Sequence, residues 1–155
     1  MWPFKKKDAL SRLVVGKKSL GKPCKEEFTP RQETKAERIA TELIAACKEL
    51  ARVHPMGCCG LAANQLGYNL RVICVLKGRS WKTYINPDFV VDSSPSNRQQ
   101  EKTEGCLSFP DKPLTVLRFR KIWAYADNVT SKKLTGMEAE AFQHEVDHLN
   151  GVTPY

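Results

Sequence analysis

Two histidines stand four positions apart near the end of the chain, in the order His144, Glu145 and His148. On a helix, residues at this spacing share one face, so both imidazoles can reach a single cation. The glutamate between them can take a proton from a water that the cation activates. A thiolate from Cys106 would give three protein ligands and leave a fourth position open. Because structural zinc sites are usually closed by four protein ligands, this set indicates catalysis.

Local signals predict the helix that this site requires. Thr135 and Glu138 have the spacing of a capping box, which would start a helix at about Gly136. Gly151 supplies a stop after the second histidine. The predicted helix therefore contains both histidines.

Residues 58–65 form a second unusual segment, which reads Cys-Cys-Gly-Leu-Ala-Ala-Asn-Gln. Its glycine and two alanines allow the backbone to pass close to a strand or a substrate, and Gln65 offers an amide donor for a developing oxyanion. Two other interpretations stay open. The segment is also typical of a tight turn before a strand, and Cys58 or Cys59 could be a fourth ligand that closes the metal site.

Taken in this order, these segments resemble the peptide deformylases. That family shows Gly-x-Gly-Leu-Ala-Ala-x-Gln, then Glu-Gly-Cys-Leu-Ser, then Gln-His-Glu-x-Asp-His-Leu-x-Gly. Residues 104–108 and 143–151 match the second and third motifs completely, and the Ile-Asn-Pro of residues 85–87 matches the end of a family strand. In the first motif, Cys58 replaces the first glycine and Cys59 stands where members often carry a branched aliphatic residue, so fine substrate preference stays open.

The resemblance implies a hydrolase that removes the formyl group from the N-terminal formylmethionine of newly synthesised polypeptides and releases formate. It implies one divalent cation on the cysteine and the two histidines, commonly Fe²⁺, with Zn²⁺, Ni²⁺ or Co²⁺ as substitutes. Glu145 would be the general acid-base group. Gln65 and the backbone N–H of Leu107 would hold the oxyanion.

Further residues are expected to support the ligands and to contact the substrate. A metal-bound histidine usually donates its second ring N–H to a carboxylate, and Glu104 is a candidate acceptor. The resemblance also implies an ion pair between Asp147 and Arg118, with a solvated arginine as the open alternative. Contacts with the substrate, including an apolar pocket for the methionine side chain, are expected from Cys59, Gly60, Glu104, Gly105, Met137 and Ala141.

The remaining sequence predicts a single compact α+β domain over residues 1–155, with 1–9 as a short N-terminal extension. After a cap at Thr29, apolar residues repeat at helical period from Pro30 to Val53. The polar stretch 93–103 is expected to be an exposed loop. Small mixed or antiparallel sheets should receive the metal helix on their concave side, and their strands are predicted at 71–76, 82–86, 89–92, 114–119 and 121–126.

Net charge and hydropathy limit the kinds of partner that this sequence predicts. The 155 residues carry a formal net charge of +8, and basic residues crowd the N-terminal section. For a deformylase this charge predicts a weak association with the ribosome, although solvated lysines alone also account for it. The sequence shows no nucleic-acid motif, no signal peptide and no apolar run of bilayer length. A cytoplasmic protein with reduced cysteines, and with no membrane or sequence-specific nucleic-acid partner, is expected.

Two further classes of protein stay open. A zinc peptidase would share the histidines and the glutamate, but its third ligand is typically downstream, and only seven residues follow His148. A noncatalytic metal-binding or RNA-binding module would need a closed site or an idle glutamate. Release of formate from formyl-Met-Ala-Ser, compared with cleavage of an unformylated peptide, separates these classes.

Overall fold

The computed structural model describes residues 12–13, 20–24, 30–55 and 57–153. The predicted extension, residues 1–9, and the predicted cap Thr29 lie outside these ranges. Within them, two long helices and three small sheets form one compact α+β domain. No helix in the described part of the chain is long and apolar enough to cross a membrane.

Helix α1 spans Pro30–Val53, as its apolar period predicts. It packs against a three-stranded antiparallel sheet in the order β1 (Gly60–Ala62), β2 (Val72–Lys77) and β3 (Ser80–Ile85). The side chains that α1 buries there recur at three- and four-residue steps: Ala36, Ile39, Ala40, Leu43, Ala46, Cys47 and Leu50.

Two more antiparallel sheets complete the described part of the domain. One has the order β4 (Asp88–Val91), β7 (Lys121–Ala126) and β8 (Val129–Thr135). The other is a hairpin of β5 (Gln99–Cys106) and β6 (Phe109–Phe119). Every strand pair among the described residues is antiparallel, so the mixed sheets allowed by the sequence do not form.

Helix α2 spans Gly136–Leu149 and lies at the centre of the fold. It packs against strands of all three sheets, so most of its faces are covered. Its buried residues include polar ones as well as apolar ones, which is unusual for a helix and indicates a functional position: Ala139, Phe142, Gln143, Glu145, Val146, His148 and Leu149.

The predicted start of α2 is confirmed, but its predicted mechanism is wrong. Thr135 is the N-cap residue in extended backbone, yet its side chain makes no capping hydrogen bond. Instead, Gly136 has φ +59°, a conformation that glycine adopts at little cost, and its N–H bonds the carbonyl of Arg120. The stop at Gly151, with φ +71°, follows the helix as predicted.

Three strands were missing from the sequence prediction. β1 has only three residues, and β8 carries a single fully buried residue, Leu134, so neither shows a clear alternation. The predicted loop 93–103 is wrong from Gln99 onward, because β5 begins there. β5 belongs to a two-stranded hairpin with little core to cover, so its side chains are mostly polar. Its partner β6 starts at Phe109 rather than Leu114, since Pro110 and Pro113 are tolerated on an edge strand.

The six cysteines lie in several different parts of the fold. The described residues include all six, and none of them forms a disulfide. Cys47 lies on the buried face of α1, and Cys74 lies inside β2.

Candidate active site

Three potential metal ligands converge between the end of β5 and helix α2. His144 and His148 come from one face of α2, and Cys106 is the last residue of β5. The Cys106 Sγ lies 3.3 Å from His148 Nε2, which lies 3.2 Å from His144 Nε2. All three ligand atoms lie within 4.8 Å of one another. The structure therefore brings together the three residues that the sequence predicted as metal ligands.

The spacing of these atoms fits a divalent cation. A tetrahedral ion with bonds of about 2.0–2.3 Å holds its ligand atoms roughly 3.3–3.6 Å apart. His144 Nδ1 contacts Glu104 Oε2 at 2.8 Å, and an Nδ1–H donor there leaves the lone pair on Nε2, which faces the other ligands. Sulfur and imidazole nitrogen together suit several divalent transition metals.

The electrostatics of the ligands also suit metal binding. Burial lowers the pKa of His148 to about 3, with the neighbouring His144 adding to the effect, so its imidazole is neutral and able to bind a cation. Burial raises the pKa of the Cys106 thiol to about 12, against the opposing effect of backbone N–H groups of Ser108 and Phe109. Metal binding must therefore displace the proton of this thiol.

A buried arginine connects the residues around the ligands. Arg118 donates two hydrogen bonds to Glu104, from Nε at 2.9 Å and from Nη2 at 3.0 Å, and a third from Nη1 to Asp147 at 2.5 Å. Arg118 is only 6% exposed, so the alternative of a solvated arginine is wrong. Glu104 in turn contacts His144, in the position expected for the carboxylate partner of one histidine. The network fixes the orientation of the imidazole.

The Glu104 carboxylate gives a testable pH dependence. Burial by itself would raise its pKa, but hydrogen bonds from His144 and Arg118 lower it to about 2. A folded-state pKa below the unfolded value of 4.5 contributes stability that is present above pH 4.5 and is lost as the pH falls through 2.

We expect Glu104→Gln to remove this contribution, on the order of 3 kcal/mol. Chemical denaturation of the metal-free proteins at several pH values measures it. The difference in unfolding free energy between parent and variant should be largest near neutral pH and should shrink toward pH 2. A difference that does not depend on pH would contradict the role of the ionised carboxylate.

Glu145 lies beside the ligands with its carboxylate buried. Among the described residues, its Oε2 has no hydrogen-bond partner, although the side chain lines the cleft. Burial raises its pKa well above 4.5, with smaller contributions from nearby thiols and from Glu104. A buried carboxyl group at this position can accept a proton and later return it.

Gly60 in β1 faces this carboxylate. A Cβ at Gly60 would lie 2.6 Å from Glu145 Oε1 and 2.9 Å from its Cγ, closer than such atoms can approach. The lack of a side chain at Gly60 therefore allows its backbone to lie close to the glutamate.

We expect Gly60→Ala to displace Glu145 while leaving the three ligands in place. Misplacement of a reacting group by about 1 Å can cost up to 100-fold, so kcat should fall at least tenfold with normal metal content. Leu61→Val, in the same strand and outside the cleft lining, is the matched control. A fully active Gly60→Ala enzyme would contradict this geometry.

Gln65 lies in a 3₁₀ turn directly after β1 and is almost fully buried. Its Oε1 accepts a hydrogen bond from the Ala62 N–H at 2.9 Å, and its Nε2 donates to Ser108 Oγ at 3.1 Å. An amide group carries two N–H donors, and the bonds among the described residues use one of them. Gln65 and Leu107 both line the cleft, so the second donor can meet a substrate oxygen there.

The cleft has a volume of about 340 Å³ and lies between β1, β5 and α2. Its lining contains every residue that the sequence predicted to contact the substrate: Cys59, Gly60, Glu104, Gly105, Met137 and Ala141. Met137 is 75% exposed and marks the outer rim. The apolar pocket expected from Cys59, Met137 and Ala141 is incomplete, because Glu140 lines the same space.

Sequence reasoning missed two residues at this site. Glu140 lies four residues before His144, so its spacing on the helix already placed it on the ligand face. Gln143 accepts from the Phe119 N–H at 3.0 Å and donates to the Phe119 carbonyl at 2.8 Å, so it anchors α2 to the end of β6. For Gln143 the signal was its place as the first residue of the third motif, to which the sequence analysis assigned no role.

The alternative of a fourth cysteine ligand receives no support from the geometry. The Cys58 Sγ lies 3.3 Å from the carbonyl oxygen of Gly60, to which it can donate. Cys59 is exposed at the cleft wall. Neither belongs to the group of converging ligand atoms in the described residues.

The central helix carries two histidines that converge with a cysteine, and one of these histidines lines an open cleft beside a buried glutamate. This arrangement defines the class of the protein as a metal-dependent hydrolase. Comparison with known proteins gives the particular family. The chain belongs to the polypeptide deformylase family, whose family model matches residues 12–155.

Individual relatives agree with this assignment. The peptide deformylase of Carboxydothermus hydrogenoformans is 33% identical over 139 residues, which cover 87% of this chain and 82% of the relative. That of Natranaerobius thermophilus is 35% identical over 127 residues, covering 78% and 75%.

Solved structures show the same fold. The peptide deformylase from Thermotoga maritima matches with a TM-score of 0.73 at 28% identity, over 90% of this chain and 91% of that one. The enzyme of the Vibrio parahaemolyticus bacteriophage VP16T matches with a TM-score of 0.70 at 26% identity, over 91% and 98%. As a member of this family, the chain is a metalloenzyme that removes the formyl group from nascent peptides.

Proposed function

We propose that deformylation takes place in the cleft between β1, β5 and α2, with Glu145 as the general acid-base group. The observation that carries this proposal is the position of Glu145, whose buried carboxylate lies against Gly60 and lines the same cleft as the ligands Cys106 and His144. No second carboxylate in the cleft lining combines burial of this degree with a raised pKa among the described residues.

Cys106, His144 and His148 hold the divalent cation in this proposal. When bound, the cation supplies Lewis acidity to the formyl carbonyl and to the attacking water. Fe²⁺ is the proposed native metal, on the basis of the family resemblance, and Zn²⁺, Ni²⁺ or Co²⁺ can replace it, because the same nitrogen and sulfur ligands suit all of them.

The remaining steps belong to side chains and backbone of the cleft. Glu145 takes a proton from the attacking water and later gives it to the leaving amine, which releases formate and a free amino terminus. Its raised pKa suits the second step, because the carboxyl group must hold the proton until the C–N bond breaks. Gln65 and the backbone N–H of Leu107 donate hydrogen bonds to the oxyanion.

The substrate binds along the walls of the same cleft. Its backbone lies between Cys59 and Gly60 on one side and Glu104 and Gly105 on the other. The side chain of the formylated residue points toward Ala141, and Met137 covers the outer rim. The supporting observation is that all of these residues line one continuous cleft.

Release of formate tests the proposal directly. We expect the metal-loaded enzyme to release formate from formyl-Met-Ala-Ser and to leave unformylated Met-Ala-Ser uncleaved. Cleavage of the unformylated peptide would instead indicate a zinc peptidase. Neither product in a fully loaded protein would indicate a noncatalytic metal-binding module.

We also propose a cytoplasmic enzyme that associates weakly with ribosomes, because its substrates are nascent chains and its net charge is +8. Of the basic N-terminal residues, Arg12 forms an ion pair with Glu42 at 3.1 Å, and most of the others lie outside the described residues.

Co-sedimentation with ribosomes measures this association. We expect the protein to pellet at low ionic strength and to be released as salt increases, since contacts with phosphate depend steeply on salt. Failure to pellet at low ionic strength would contradict the association and would leave the deformylase assignment unaffected.

A further inference from the structure

Three contacts connect strand β5 to helix α2 at regular intervals. Lys102 Nζ lies 3.0 Å from Glu140 Oε1, Glu104 Oε2 lies 2.8 Å from His144 Nδ1, and Cys106 Sγ lies 3.3 Å from His148 Nε2. The strand contributes every second residue and the helix every fourth. The two repeats agree, because two residues of a strand and four of a helix each advance by about 6 to 7 Å.

The outer contact of this series is an ion pair at the cleft wall. Glu140 lines the cleft, as does Thr103 next to Lys102. The Glu140 side chain is 20% exposed and that of Lys102 is 34% exposed, so both are partly enclosed. An ion pair that is still partly open to solvent contributes little to the stability of a fold. Its main effect is therefore on what the cleft accepts.

The ion pair lies where the end of the first substrate side chain is expected. In the proposed function, the formyl group lies beside His144, Glu145 and His148. Glu140 lies four residues before His144, about 6 Å nearer the N-terminus of α2. A side chain on the residue that carries the formyl group starts next to the reacting amide and extends over a comparable distance. Its end therefore comes to the level of Glu140.

We propose that the Lys102–Glu140 ion pair determines specificity at the end of the pocket for the first substrate side chain. Glu140 is the member that lines the cleft, so the pocket ends in a carboxylate rather than in an apolar wall. The pocket therefore accepts side chains that donate hydrogen bonds or carry positive charge more readily than acidic ones. This inference rests on the proposed function, because that function fixes where the formyl group lies.

A comparison of basic and acidic side chains at the first substrate residue separates the effect of Glu140 from the effect of the protein's net charge. A net charge of +8 favours acidic substrates, whereas Glu140 disfavours them. Because two charges a few ångströms apart interact strongly at a partly enclosed protein surface, selectivity should change at least tenfold when the carboxylate is removed from the cleft.

The test uses three formyl peptides and the metal-loaded enzyme. The ratio of kcat/KM for formyl-Lys-Ala-Ser to that for formyl-Glu-Ala-Ser is measured, with formyl-Met-Ala-Ser as the reference substrate. The double variant Lys102→Glu with Glu140→Lys keeps the net charge and the ion pair but reverses its direction, and its ratio should fall at least tenfold. Glu140→Gln keeps the shape of the side chain and should lower the ratio in the same direction.

Glu101→Gln is the matched control, because it removes one negative charge from the exposed opposite face of β5. Its ratio should stay within twofold of the parent. Calorimetric binding of the products Lys-Ala-Ser and Glu-Ala-Ser gives a second reading that does not depend on turnover, and it should change in the same sense.

The outcomes distinguish this inference from the proposed function. A ratio that is unchanged in both Glu140 variants, while formyl-Met-Ala-Ser is still hydrolysed, would overturn the specificity role alone. An equal loss with both substrates would show that the pair only supports the structure. A parent enzyme that does not hydrolyse formyl-Met-Ala-Ser would overturn the proposed function and this inference with it.

Discussion

Replacing Glu145 with glutamine is expected to lower kcat for formate release by about 100-fold or more, the scale of losing a general acid-base group. Glutamine keeps the size of the side chain, so the packing against Gly60 should persist. It cannot accept and return a proton, which is the step assigned to this residue. Metal content, measured by atomic emission on the purified proteins, should be the same in variant and parent.

Glu138→Gln is the matched control for this prediction. It makes the same chemical change on the same helix, and Glu138 does not belong to the cleft lining. We expect its activity to remain near that of the parent. Normal turnover in Glu145→Gln would show that proton transfer depends on another group.

Replacing Cys106 with serine is expected to remove most of the bound metal, with occupancy falling at least tenfold under conditions that leave the parent saturated. A hydroxyl group is a poor replacement for a soft anionic ligand. The buried site aggravates the loss, because it already raises the pKa of the thiol to about 12. A serine hydroxyl would hold its proton more strongly still.

Equilibrium dialysis against a defined metal buffer, with metal and formate release measured on the same samples, tests this prediction. Cys59→Ser is the matched control, since Cys59 is exposed at the cleft wall and does not belong to the ligand group. Its metal occupancy should equal that of the parent. Full occupancy and activity in Cys106→Ser would point to Cys58 or Cys59 as the real ligand.

Much of the fold was predictable where the signals are local. The bounds of α1 follow from an apolar repeat that a single helix must satisfy, and Gly136 and Gly151 limit α2. The shared face of His144 and His148 follows from helical spacing alone. Three motifs in the same order as in the family indicate the family without any knowledge of tertiary contacts.

The hairpin of β5 and β6 was only partly predictable, for a physical reason. A strand shows itself in sequence through alternation between a buried and an exposed face, and β5 buries only its last residue, Cys106. The polar side chains Lys102 and Glu104 instead pair with Glu140 and His144 of α2. Pro110 and Pro113 in β6 also gave a local signal against a strand, which an edge position tolerates.

The sequence by itself determined the two helices and the family, and it predicted the metal ligands and the glutamate, because each depends on spacing within one segment or on a motif. Only the tertiary structure decided that Arg118 also binds Glu104, how closely Gly60 approaches Glu145, and that Glu140 meets Lys102 at the cleft. These contacts join residues that are 14 to 85 positions apart, and no local pattern records the distance between two segments that pack together. The motifs therefore predict the chemical groups of the site, whereas the shape and charge of its pocket depend on how β5 packs against α2.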